Sequence, residues 1–185
     1  MMVNLPQTYL LGLCFLLVII SILVGRQLYK VRKDEMKLLK LEKEDSNTQE
    51  DSAKMYELAS VQLKKRLYPQ ATSTLKQALK KLDGEPEEAK ALIENALGFA
   101  LAAQNDFKSA VIHYKKALTA KADYPVALNN LGFAYQRLLK EDEAYKNYQE
   151  VLKLDPNNKT AISQIKRLER IVGKDKDQLS NKKGF

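Results

Sequence analysis

A single cysteine and a single histidine in 185 residues leave little from which a reactive centre could be built. Cys14 can close no disulfide framework and form no metal cluster alone, and its lone occurrence fits a reducing compartment. His113, between Ile112 and Tyr114, reads as a surface or partly packed side chain. There is no Gly-rich phosphate loop, and the carboxylates are scattered among lysines as solvated pairs. No catalytic constellation, metal site or cofactor is expected. Seven glycines and five prolines are few punctuators for this length, which suits helices joined by short connections.

The net charge of +8 has to be located before it is read. Residues 25–45 carry +2, residues 159–185 carry +5, and residues 46–158 only +1. Nucleic-acid binding wants a basic stripe on the folded body, so no nucleic acid is expected as a partner. The excess sits beside an apolar block and in the tail.

That block, Leu5 to Val24, holds no charged residue in 20 positions. As a helix it would be about 30 Å long, the hydrocarbon thickness of a bilayer, with Pro6 in its first turn. A secretory signal competes, but residues 1–4 carry no Lys or Arg, and "GRQLYKVRK" follows in place of a small-x-small cleavage site. Residues 1–25 are therefore read as a membrane anchor. Arg26, Lys30, Arg32 and Lys33 crowd its C-terminal flank, which keeps the remainder on the cytoplasmic, stromal or matrix side. Cys14 is then a lipid-facing or packing residue. Residues 26–51 read as a helical stalk with loosely spaced Leu28, Val31, Leu38 and Leu41, followed by a polar linker at Glu44 to Ser52. A coiled-coil dimer would place Glu35 and Glu42 in its seam, which disfavours it.

Two scarce glycines occur in the same setting, "NALGFALA" and "NNLGFAYQ", with Gly98 and Gly132 separated by 34 residues. A 34-residue period with Leu-Gly, Tyr, Ala, aromatic and Pro at fixed offsets is the tetratricopeptide (TPR) signature, a helix pair per repeat. Residues 125–158 supply Leu128, Leu131, Gly132, Tyr135, Ala144, Tyr148 and Pro156. Residues 91–124 supply Leu97, Gly98, Leu101, Ala110, Tyr114 and Ala117, but carry Glu94 at the bulky position and Ala122 for Pro. A degenerate first repeat fits 52–85, with Leu58, Ala59, Ala71, Leu75 and Ala78; Pro86 to Lys90 intervene. The glycine and the alanine twelve residues later are expected where two helices meet most closely, and the second-helix aromatic on the following repeat. The turns "QND" and "KED" each end in an acid able to cap the next helix. An amphipathic capping helix over 158–172 and a mobile basic tail over 173–185 complete an all-α architecture: a transmembrane helix and stalk, then a three-repeat solenoid over 52–172.

The remaining chemistry is surface. First helices line the concave face of such a stack, which aligns Asn95, Phe99, Ala102 and Ala103 with Asn129, Phe133, Gln136 and Arg137. Asn130 falls where this repeat class often places an asparagine able to bond a ligand backbone. Amides can donate and accept toward an extended peptide, the phenylalanines offer apolar contact, and Arg137 can pair with a carboxylate. The alternative is that both phenylalanines pack within the array and the asparagines bond locally.

One apolar span, a basic flank, a stalk and three such repeats, from "YLLGLCFLLVIISILV" through "LGFAYQRLLKEDEAYKNYQEVLKLDPNN", resemble the membrane-anchored TPR proteins required for photosystem I assembly in cyanobacteria and plastids. The resemblance implies a thylakoid location, a lumenal N-terminus, repeats in the stroma or cytoplasm, and a non-enzymatic scaffold for photosystem I subunits or assembly intermediates. Two other readings fit the same residues: an adaptor for chaperones or secretion machinery at a bacterial inner membrane, and an accessory subunit of a membrane enzyme complex.

Overall fold

The computed structural model describes the backbone of residues 5–45, 51–82 and 84–182, and side chains over 9–33, 35–40, 51–82 and 84–171. The linker read at Glu44 to Ser52 falls largely on residues 46–50, outside the described residues, as do residues 183–185 of the tail. The described residues are all-helical and divide into two compact units, 1–48 and 49–185.

In the first unit a single unbroken helix, α1, runs Leu5–Asp45. Within it lies the one described segment long and apolar enough to cross a membrane, none of it buried inside the protein.

The second unit pairs α2 (Ser52–Lys64) with α3 (Tyr68–Lys80), α4 (Glu87–Ala103) with α5 (Phe107–Ala120), and α6 (Pro125–Arg137) with α7 (Glu141–Leu154). The last helix, α8 (Lys159–Lys182), packs on α7. This is a three-repeat TPR solenoid with a closing helix. Leu75, Ala78, Leu97, Ala110, Ala117, Ala144, Val151 and Ala161 are inaccessible to solvent, so small side chains sit at the seams and leucines fill the grooves between them.

Each helix pair closes on an aromatic ring laid against a glycine. A Cβ added at Gly98 would stand 2.7 Å from two ring carbons of Tyr114, and one at Gly132 would stand 2.9 Å from the ring of Tyr148. The expectation that these tyrosines pack onto the following repeat is therefore revised. Each ring fills the space its own repeat's glycine leaves open, and both are almost wholly buried. The aromatic contact between repeats is made instead by Phe107, edge-on to Phe133 with centroids 6.3 Å apart.

The turns inside the pairs share one design. Arg66, Asn105 and Leu139 all adopt positive φ, of 61°, 65° and 59°. The residue after each donates its N–H five residues back, Leu67 to Gln62, Asp106 to Leu101 and Lys140 to Tyr135, at 2.9–3.0 Å. This is the Schellman closure, which satisfies orphan carbonyls at the helix end. Only Asn105 is a residue type that enters this region readily.

Three boundaries differ from those read in the sequence, and one expected cap is present. α4 starts at Glu87, four residues before residue 91, because Pro86 precedes a first turn whose Glu87 and Glu88 favour the helix's positive end. Asp106 does cap α5, accepting from the Ser109 N–H at 3.1 Å. Asp142 does not cap α7; the helix begins at Glu141, and Asp142 sits inside an acidic first turn. α8 continues to Lys182, through residues expected to lack regular structure. No proline interrupts it, and Gly173 costs a helix interior only about 1 kcal/mol.

Two stability outcomes follow. Gly98→Ala should lower unfolding free energy by about 2 kcal/mol in denaturant titration, since the buried Tyr114 ring has nowhere to move. In a Tyr114→Leu background the same change should be neutral or stabilising, because the Cβ then meets no ring. Leu139→Gly should raise stability by about 1 kcal/mol by relieving the left-handed backbone. Leu139→Ala should not, since the side chain is already 86% exposed.

Candidate functional site

Among the first helices, α2 touches α4 and α4 touches α6, whereas each second helix reaches the next repeat through the following first helix. The stack therefore curves with α2, α4 and α6 on its inside. All the candidate groove residues belong to α4 and α6.

The asparagines are largely occupied within the array. Asn95 Nδ2 donates to the Tyr124 hydroxyl at 3.3 Å, and Asn129 Nδ2 donates to Asn158 Oδ1 at 3.3 Å. Tyr124 and Asn158 are themselves 34 residues apart, each at the entry to the next first helix, so these are one latch used twice. Asn158 Oδ1 also accepts from Ala161 N–H at 3.1 Å, capping α8. Asn130 Nδ2 donates to Asn95 Oδ1 at 3.0 Å, tying α6 to α4. Gln136 is buried, its Oε1 accepting from the Tyr148 hydroxyl at 3.1 Å. Burial pushes the Tyr148 phenol up to about 12, against a smaller opposing effect of Arg167, so it stays a donor at neutral pH. Among the groove candidates, two buried polar atoms have no hydrogen-bond partner: Asn129 Oδ1 and Gln136 Nε2.

What stays open is apolar and cationic. Phe99 and Phe133 are each 45% exposed. Seven residues before each lies another exposed apolar side chain, Leu92 and Val126. Leu92 and Val126 were absent from the sequence-derived set, although their own 34-residue separation marks them. Ala102 is half-buried beside this stripe and supplies little surface. The Arg137 guanidinium lies over the Phe107 ring, 4.8 Å from its centroid. Such a stacked cation keeps its charge and loses its rotamer freedom before any ligand arrives.

A second feature departs from the repeat pattern. Glu94 occupies the position filled by Met55 and Leu128 in the neighbouring repeats, and is only 4% exposed. Its carboxylate meets His113 Nδ1 at 2.6 Å. His113 is partly packed, one of the two positions read for it, and its ring is the partner that lets an acid sit at a core position. Both border the junction where the inserted residues 86–90 enter. There a cleft of about 510 Å³ is walled by Leu79 and Leu82 and edged by Glu85, Glu87 and Glu94. The Ser52 hydroxyl donates to Glu85 at 3.2 Å, which ties the insertion to the start of the first repeat. Among the described residues no three His, Cys, Asp or Glu side chains gather as metal ligands.

The tetratricopeptide repeat family matches residues 125–158, and a second TPR repeat family matches residues 98–138. The ycf37 protein of Cyanophora paradoxa is 32% identical over 156 residues, covering 84% of this chain and 90% of that one. The chain belongs to the ycf37 family. The ycf37 protein of Guillardia theta is 29% identical over 164 residues, covering 89% and 92%. The chloroplastic TPR domain-containing protein PYG7 of Arabidopsis thaliana is 30% identical over 158 residues, and the chain spans 52% of its length. Among solved structures, the first TPR domain of Spaghetti (RPAP3), bound to an HSP90 peptide, superposes with a TM-score of 0.61 at 22% identity, covering 66% of this chain and 94% of that one. YrrB, a TPR protein with an unusual peptide-binding site, gives 0.66 at 17%, covering 75% and 69%. These likenesses establish the fold. The ycf37 membership accords with the resemblance read from the sequence.

The Glu94–His113 pair yields a test that separates fold from function. His113→Ala should destabilise this ycf37-family chain by about 3 kcal/mol in urea, because an uncompensated carboxylate is left buried. Combining Glu94→Leu with His113→Leu should recover most of that loss, since apolar replacement of a buried ion pair is often neutral.

Proposed function

We propose that the chain is a membrane-tethered, non-enzymatic scaffold that holds an extended segment of a partner protein against the inner face of α4 and α6. The observation carrying this reading is the repeated apolar stripe Leu92, Phe99, Val126 and Phe133, exposed at equal offsets beside a ring-stacked Arg137. Internal latches consume most of the asparagine hydrogen bonding, so apolar contact supplies the affinity. Arg137, held over the Phe107 ring, supplies orientation.

Kinship with a chloroplast protein and with ycf37 proteins supports a plastid or cyanobacterial setting. Residues 1–25 serve as the anchor, 26–51 as stalk and linker, and 52–172 as the working domain. The N-terminus lies in the lumen of the thylakoid and the repeats on the stromal or cytoplasmic side, as the basic flank demands. The partners in this reading are photosystem I subunits or their assembly intermediates.

Completing the burial of a half-exposed phenylalanine contributes about 1 kcal/mol. The double variant Phe99→Ala, Phe133→Ala should therefore weaken capture of photosystem I subunits from solubilised thylakoids by at least about 10-fold, measured well below a melting temperature that loss of the Phe107–Phe133 contact lowers by a few degrees. Capture equal to that of the unmodified chain would overturn the groove. Capture of chaperones without photosystem subunits, by both forms, would overturn the assignment of partner.

A further inference from the structure

Beyond the apolar span of α1, five of the six basic residues from Arg26 to Lys40 share one face, and Arg32 alone falls on the far side. At about 100° per residue, every position from Arg26 to Lys40 within about 40° of a single line along the helix is basic. Those positions are Arg26, Lys30, Lys33, Lys37 and Lys40, all exposed. Glu35 falls opposite, with Leu28, Val31 and Leu39 on the same far side. Tyr29, 73% exposed, flanks the stripe near its membrane end.

A rule that merely counts positive charges near a span asks for no face and no length. This stripe has both, and its length decides what it can meet. Taking Arg26 as the membrane surface, Lys33 stands about 10 Å above it, Lys37 about 16 Å and Lys40 about 21 Å along a 1.5 Å rise. Screening at physiological salt has a length of about 8 Å. Anionic lipid headgroups therefore hold Arg26 and Lys30, reach Lys33 weakly, and leave Lys37 and Lys40 outside their field. Since α1 continues unbroken to Asp45, the distal lysines point sideways, parallel to the bilayer, along a line about 20 Å tall.

We propose that this stripe is a lateral docking surface for an acidic, membrane-proximal flank of another integral membrane protein. The inference rests on the membrane-anchored reading and adds a second contact, independent of the groove. It assigns the stalk a recognition role: the lower lysines meet headgroups and partner together, the upper two meet the partner alone. Lys37 and Lys40 already interact within the chain, and exposed interactions of this kind, worth about 0–1 kcal/mol, exchange easily.

The test uses the full chain in its own membranes, with a benzophenone amino acid placed at Met36, beside the stripe, or at Leu39, behind it. Crosslinks from Met36 should exceed those from Leu39 by at least about 5-fold. They should fall on a membrane protein at a segment of net negative charge, and drop about 5-fold in a Lys37→Gln, Lys40→Gln variant. Equal yields from both positions, crosslinks to lipid alone, or indifference to the two lysines would each overturn the proposal. Carbonate extraction of the same membranes separates the levels: a chain kept in the pellet without the crosslinks loses only the stripe, whereas a released chain loses the anchor as well.

Discussion

The repeat unit depends on one contact made twice: a tyrosine ring packed against a helix where a glycine has no side chain. At 2.7–2.9 Å from a hypothetical Cβ, the ring would clash with any other residue at Gly98 or Gly132. Because the two helices of a pair are spaced by that ring, the offset of Phe107 against Phe133 and the seating of Arg137 over Phe107 follow. The Asn95–Tyr124 and Asn129–Asn158 latches then fix how far each pair is rotated from the next. A curved inner face is the result of repeating this step, and the exposed apolar stripe is what the step leaves uncovered.

Much of this was legible because the constraint is steric and local. A Leu-Gly recurring 34 residues on, with Ala and Tyr at fixed offsets, admits one architecture, and Pro125 and Asp106 announce the helix starts they make. The Tyr–Gly pairing itself was misassigned, since a spacing of sixteen residues does not say which helix a ring leans on. Leu139 and Arg66 gave no sign of a left-handed backbone; the hydrogen-bond geometry of the turn imposes it on whatever residue occupies the position. Glu94 read as a departure from the pattern and His113 as a surface or partly packed side chain. Their meaning lies in a contact across 19 residues and two helices, to which neither position points alone.

The middle repeat shows how an array absorbs an irregularity. An acid at a core position is costly in isolation, as burial of a lone carboxylate always is. Here the same repeat supplies the imidazole, and the inserted residues before it extend α4 by a turn toward Ser52 and Glu85. The departures from the repeat pattern are thus grouped at one junction. The third repeat, which carries the regular pattern, also carries the stacked Arg137.

The groove is modest by the measure of binding energy. Four half-exposed apolar side chains and one oriented arginine add a few kcal/mol at most, before any cost of ordering a flexible segment is subtracted. Free in solution such a site would hold its ligand weakly. In the membrane-anchored role proposed above, confinement to a bilayer would change the reckoning, because a partner in the same membrane is presented at an effective concentration that short tethers raise into the millimolar range. Under that proposal, two weak sites, one on the repeats and one on the stalk, would engage and release rapidly and multiply without either becoming tight. That combination suits a protein whose partner must be held while incomplete and surrendered once assembled.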